Sequence, residues 1–196
     1  MKIIDRIKGI ILNPKNEWSA IQQEKQGNTE LLTSYLIPLA LIPIVGSFIG
    51  NGLIGRNLAF VGHVGSVSLG IRYAIMMLLN ILIGIYLTAF IIDLLAPSFG
   101  AVKNFNNALR LVVYSYTPTL VAGILYLVPS LSILVMLASL YGLYIMYFGI
   151  KPMMKAPDDK ITVYFIVSIV VLIVVYFIIG AIVSVFLLRG AFMSGL

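Results

Sequence analysis

Cysteine is absent from all 196 residues, which excludes disulfides, thiolate catalysis and cysteine-ligated zinc or iron–sulfur centres. Charge is scarce as well. Asp, Glu, Lys and Arg make up 10% of the chain, against about 25% in a soluble globular domain, too little polar surface to cover a water-soluble fold of this size. A single histidine, His63, rules out a multi-histidine metal site within one chain. What is present instead is apolar: 61% of residues are hydrophobic and the mean hydropathy is +1.07. The main solvent of such a chain is lipid.

The thirteen Lys and Arg exceed the seven Asp and Glu, but they are scattered between apolar runs and form no basic face. Nucleic acid is therefore excluded as a partner, and basic loops beside anionic headgroups account for the charge. Between Met1 and Leu12, Lys2, Asp5, Arg6 and Lys8 interrupt the isoleucines. No signal-peptide core results, and the start is expected to be retained. Ile3, Ile4, Ile7, Ile10 and Ile11 recur at helical spacing, with Lys2, Arg6 and Lys8 off that stripe. The pattern predicts a basic amphipathic helix lying on the bilayer. Asn13-Pro14 reads as an N-cap followed by proline at the first helical position, opening a second short helix with Trp18 as a headgroup-level interfacial anchor.

The fold class expected is all-α: a polytopic membrane protein with five transmembrane helices behind this short amphipathic segment. Residues 1–30 form the cytoplasmic, interfacial part and 31–196 the membrane domain. The spans fall at about 31–51, 71–95, 111–128, 131–150 and 161–188, each near the ~20 residues that cross a bilayer. Leu111 to Ile150 carries no charge over 40 residues, about 60 Å as one helix, so it must fold back, and Pro129-Ser130 supplies the turn. Pro38 and Pro43 interrupt the first span. Residues 51–70 read as an interfacial or re-entrant loop, and 98–110 as a polar loop facing water. With the amino terminus inside, ten basic residues (Lys2, Arg6, Lys8, Lys15, Lys25, Lys103, Arg110, Lys151, Lys155, Lys160) lie inside against Arg56, Arg72 and Arg189 outside. This positive-inside bias predicts a multi-pass protein of the bacterial cytoplasmic (inner) membrane with its carboxyl terminus external.

Few residues are candidates for chemistry. Gly50-Asn51-Gly52-Leu53-Ile54-Gly55 matches GxGxxG in letters, but it follows a span rather than a strand and no acid occurs before Asp93, so it lacks the dinucleotide-binding context. P-loop and HExxH motifs are missing. Asp93 is the one acid inside a span, where a charge costs about 2.5–3.5 kcal/mol at a helix centre. Two residues from the span's end, it is open to a packing role at the boundary, within reach of interfacial water or an inner-loop cation, or to a proton- or cation-coupled role. Tyr114 and Tyr116 precede Pro118, and Tyr141, Tyr144 and Tyr147 repeat every three residues. They read as an aromatic belt with interhelical hydrogen bonds, or else as a ligand-lining stripe. Gly46 with Gly50, and Gly180 with Ser184, are small-xxx-small pairs suited to helix packing or self-association.

Taken in order, Asn13-Pro14 with Trp18, the approach from Ala108 into Tyr114-Ser115-Tyr116-Thr117-Pro118, and Tyr141, Tyr144, Tyr147, Phe148-Gly149, Lys151-Pro152 with Met153-Met154-Lys155-Ala156-Pro157 resemble the bacterial-type branch of the Yip (Ypt-interacting protein) domain family. The resemblance spans nearly the whole chain and implies five helices with a cytoplasmic amino terminus. It adds Lys151 to the candidate residues. Eukaryotic relatives act with Rab-type GTPases through a long amino-terminal region; only about 30 residues precede the first span here, so that partner is not carried over. The function expected is non-enzymatic, without cofactor or metal: membrane organisation or partner recruitment through helix packing, with the lipid bilayer, a homo-oligomer or other membrane proteins as partners. The alternative is a small transporter or channel for protons, cations or lipid that uses Asp93.

Overall fold

The computed structural model describes the backbone of residues 3–24, 27–58 and 62–193, with side chains for these except 56–58, 63 and 179–193. Among the described residues five helices are long and apolar enough to cross a membrane: span one Asn28–Ile54, span two Val67–Phe99, span three Phe105–Leu127, span four Pro129–Met154 and span five Ile161–Met193. Two short helices, α1 (Ile3–Leu12) and α2 (Pro14–Gln23), precede them. The chain is an integral multi-pass membrane protein of all-α class. Its only extended structure among the described residues is a small hairpin, β1 (Arg56–Leu58) against β2 (Gly62–Val64), between spans one and two. Among the described residues of 51–70 there is no re-entrant helix: span one runs through Ile54 and span two starts at Val67. The side chain of His63 lies outside the described residues, as does that of Ser184 in the Gly180–Ser184 pair.

Local chemistry explains the breaks. Ahead of Pro38, which lacks an N–H, span one widens into a π-helical turn, Leu32–Leu36, a common device where the helical ladder is disturbed. Residues 98–110 are not a polar loop throughout. The Asn104 side chain accepts from the Asn107 N–H at 3.1 Å, capping a helix that begins at Phe105. The asparagines thus start span three, and Arg110, expected in water, is buried one turn inside it. Spans three and four are joined through Val128 in extended conformation and a tight turn at Pro129–Leu131.

Packing between spans one, two and three relies on glycine. A Cβ on Gly46 would stand 2.8 Å from the Gly123 carbonyl oxygen, and one on Gly50 would collide with the Tyr126 carbonyl. Gly52 similarly meets the Cα of Gly70. The Gly46–Gly50 pair is therefore spent on close backbone approach inside one chain, and it is not free for self-association. Gly50 and Gly52 of the GxGxxG letters have the same explanation, whereas Gly55 ends the span at a φ of 70°. Overpacking of such a contact costs about 1–3 kcal/mol. Gly46→Leu should therefore lower the thermal midpoint in mild detergent by several degrees, and an unchanged melt would contradict the close crossing of spans one and three.

Candidate functional site

One end of the bundle, where spans one and three start and spans two and four finish, is closed by α1 and α2. Helix α1 divides three ways: Arg6 and Ile10 are buried against protein, Ile4 and Leu12 are exposed and apolar, and Asp5 and Lys8 are exposed and charged. The pair is held against the spans. The Tyr141 hydroxyl donates to the Ile11 carbonyl at 2.6 Å, and Tyr141 lies ten residues, or about 15 Å of helix, before Lys151 near the carboxyl-terminal end of span four. The corner between α1 and α2 is thus wedged alongside spans three and four. Trp18 corrects its expected role too. It is 1% exposed, because its indole N–H finds the Ile145 carbonyl at 2.9 Å and its ring packs over Gly149, so it anchors α2 to span four and not to headgroups.

Arg6 is the centre of this arrangement. Its guanidinium is buried and pairs with both Glu17 and Glu24 of the α2 segment, and it lies over the Tyr114 ring, 5.6 Å from the centroid. Tyr114 in turn meets Trp18 edge-on at 6.2 Å and Tyr35 at 4.8 Å. A buried cation needs partners at hand, and α2 supplies two carboxylates. Arg110 bonds the Ile21 carbonyl at 2.6 Å, tying the end of α2 to span three.

Below this cage sits a proline relay. Pro118 has no N–H, so the Tyr114 carbonyl four residues earlier loses its helical donor. The Thr117 hydroxyl replaces it, donating to Tyr114 O at 2.7 Å. Thr117 has then spent its one hydrogen, so the 2.8 Å contact with Tyr35 has the Tyr35 hydroxyl as donor. The helix breaks at Tyr116 and resumes with Pro118 in its first turn.

Asp93, near the carboxyl-terminal end of span two, is 8% exposed. Its Oδ1 has no hydrogen-bond partner, and no cation pairs with it, among the described residues. Tyr164 of span five stands beside it yet donates instead to the Ile92 carbonyl at 2.5 Å. Ser168, one turn further along span five, is likewise buried without a partner for its hydroxyl. The tyrosines of span four do not line a common path. Tyr141 ties α1, Tyr147 meets the Thr162 hydroxyl at 3.0 Å, and Tyr144 is exposed, stacked on Tyr141 at 5.5 Å. Lys151 pairs with Asp158 at 2.5 Å in the open, a geometry that contributes little. Tyr116 stands apart from the cage, at a cavity within the spans. Arg6, Glu17, Glu24, Tyr35 and Arg110 were not legible as a site, since their sequence spacing is unremarkable. A sign existed in the Arg6–Ile10 face of α1, whose charge cannot point at lipid.

Removing one member of a buried ion pair costs about 3–5 kcal/mol. Arg6→Met should therefore release α1 and α2 to limited proteolysis at their junction, while the triple variant Arg6→Met, Glu17→Gln, Glu24→Gln should be less sensitive than Arg6→Met alone. Equal protection of Arg6→Met and the unchanged chain would remove the cage from this role. Trp18→Phe keeps the ring but loses its donor, and should lower stability by about 1 kcal/mol in thermal melts.

No three His, Cys, Asp or Glu side chains gather as a metal-binding group among the described residues. No curated protein and no solved structure matches the sequence. The family model for the Yip1 domain matches residues 8–192, a stretch that takes in the α2 anchor, the proline relay and all five spans. The chain therefore belongs to the Yip1 domain family.

Proposed function

We propose that this protein is a non-enzymatic organiser of the bacterial inner membrane, recruiting other membrane proteins or further copies of itself through helix packing. The observation that carries the proposal is the uneven covering of its spans. Two-thirds of the apolar stretch of span three is buried, 67%, whereas only 11% of the described stretch of span five is. Val163, Ile166, Val170, Ile173 and Phe177 leave one long apolar face of span five uncommitted, and no charge lies between Ile161 and Leu188. A helix held so lightly by its own bundle is available to another. By contrast Arg6, Glu17, Glu24 and Arg110 are consumed in holding α1 and α2.

The amino terminus is proposed to be cytoplasmic and the carboxyl terminus external. Supporting this, Val102 N–H bonds the Met154 carbonyl at 2.8 Å and Asn28 bonds Asn106 at 2.7 Å, so the segments carrying Lys15, Lys103, Lys151, Lys155 and Lys160 share one end of the bundle. Positive charge concentrates on the cytoplasmic side of membrane proteins.

Because the chain has no cysteine of its own, single cysteines report directly. Phe177→Cys and Ile166→Cys should give oxidative cross-links to a second copy or to a reproducible partner in native membranes, and the buried control Ala89→Cys should not. A chain that stays monomeric with no recurring partner would end the recruitment proposal. A reporter after Leu196 should read external and one after Lys155 cytoplasmic; the reverse would overturn the orientation.

A second reading, a small transporter, is favoured by one observation, the buried Asp93 with its unpartnered Oδ1. If it holds, Asp93→Asn should abolish proton or cation flux in liposomes while leaving the elution profile of the protein unchanged. Absence of flux in both proteins would discard it.

A further inference from the structure

Within the membrane-spanning bundle lies a cavity of about 230 Å³ between spans two, three, four and five. Its floor is buried, formed by Thr88, Ser115 and Gly142, whereas Ser139, Leu143, Ile169 and Leu172 at its rim are half-exposed. Ser139 is ten residues beyond Pro129, and Leu172 eleven beyond Ile161, about 15 Å along each helix. At that depth an opening between spans four and five faces hydrocarbon. Whatever enters must come from the bilayer.

The lining sets the chemistry. No Asp, Glu, Lys, Arg or His contributes to it, so a charged group would sit there unpaired at a cost of several kcal/mol. The entrant is uncharged. The hydroxyls of Thr88, Ser115 and Ser139 donate to the carbonyls of Gly84, Leu111 and Met136 at 2.6, 2.7 and 2.7 Å. Each therefore keeps only acceptor lone pairs for a ligand, and at Thr88 the neighbouring Tyr116 hydroxyl already shares them. Thr119 makes no hydrogen bond among the described residues and retains its donor. A ligand group here must both donate to the first set and accept from Thr119, and among the uncharged groups that a bilayer supplies a lipid hydroxyl does both. Tyr116 and Thr119 also wall a second cavity of about 160 Å³, otherwise lined by Pro43, Met77, Asn80, Ile81, Leu120 and Tyr126, so space of mainly apolar lining continues behind the polar partition.

We infer that this cavity binds an uncharged membrane lipid with a hydroxyl-bearing head, of the diacylglycerol class, its hydroxyl at Thr119 and an acyl chain leaving between spans four and five. The inference stands apart from partner recruitment and from any role of Asp93.

The test uses the full chain in vesicles of phosphatidylethanolamine and phosphatidylglycerol, with either a diacylglycerol or a phosphatidylglycerol carrying a diazirine in its acyl chain. After irradiation the labelled residues are mapped by mass spectrometry. The diacylglycerol probe should label Thr119, Leu143 or Met146, with unlabelled diacylglycerol competing and phosphatidylglycerol not. Thr119→Val should reduce that labelling about fivefold, the worth of one hydrogen bond. Leu172→Trp fills the rim from the lightly packed span five and should remove it, leaving labelling of exposed Leu137 and Phe177 unchanged. Ile169→Trp serves the same purpose should Leu172→Trp not elute as a single species. Equal labelling by both probes, labels confined to Leu137 and Phe177, or labelling undiminished in both Trp variants would overturn the inference.

Discussion

A guanidinium enclosed by aromatic rings beside a bilayer must be neutralised where it stands, and the α1–α2 end of this molecule is built around that requirement at Arg6. Neutralisation needs carboxylates, and these come from Glu17 and Glu24, so α1 and α2 can bury Arg6 only as a pair. The pair in turn needs a surface. Trp18 on the Ile145 carbonyl and Arg110 on the Ile21 carbonyl fix it to spans four and three, and Tyr114 and Tyr35 complete the cage. A buried ion pair is weak evidence of net stability, since desolvation offsets most of the attraction. Its consequence here is specificity: α1 has one place to go.

Directly beneath the cage, Pro118 imposes a second constraint. A missing N–H in the middle of a span leaves a carbonyl unsatisfied in a medium without water, an expensive defect. Thr117 repairs it and recruits Tyr35 from span one. The same break turns Tyr116 away from the cage to the partition between two cavities. One proline thus links the docking of the amino-terminal helices to the free space at mid-depth. The two features lie on opposite sides of a single residue pair, Tyr114 and Tyr116.

Span five differs from the other four. It touches the bundle mainly through Tyr164, Ser168 and neighbouring apolar residues, while most of its described surface meets lipid. Both the proposed partner face and the rim of the cavity lie on it, on different sides of the helix. Light packing suits an element that must admit another helix or let a lipid chain pass.

The number of spans, the Pro129 turn and membership of the Yip1 domain family were legible in the sequence. Each rests on local quantities: uninterrupted apolar length set by bilayer thickness, a proline where a 40-residue run must reverse, and short motifs in a fixed order. The charge of Arg6 was legible too, but its destination was not. An arginine beside a stripe of isoleucines looks the same whether it turns to water or to two glutamates eleven and eighteen residues away. Trp18 is a similar case, since an indole suits a headgroup layer and a buried carbonyl equally. Hydropathy along a chain records how much each residue prefers lipid to water. It holds no information on which helix becomes the neighbour, and in a membrane that choice is made by close packing and hydrogen bonds between residues far apart in sequence. The tertiary structure alone therefore decided the Arg6 cage, the glycine contacts of span one and the hydroxyl-lined cavity.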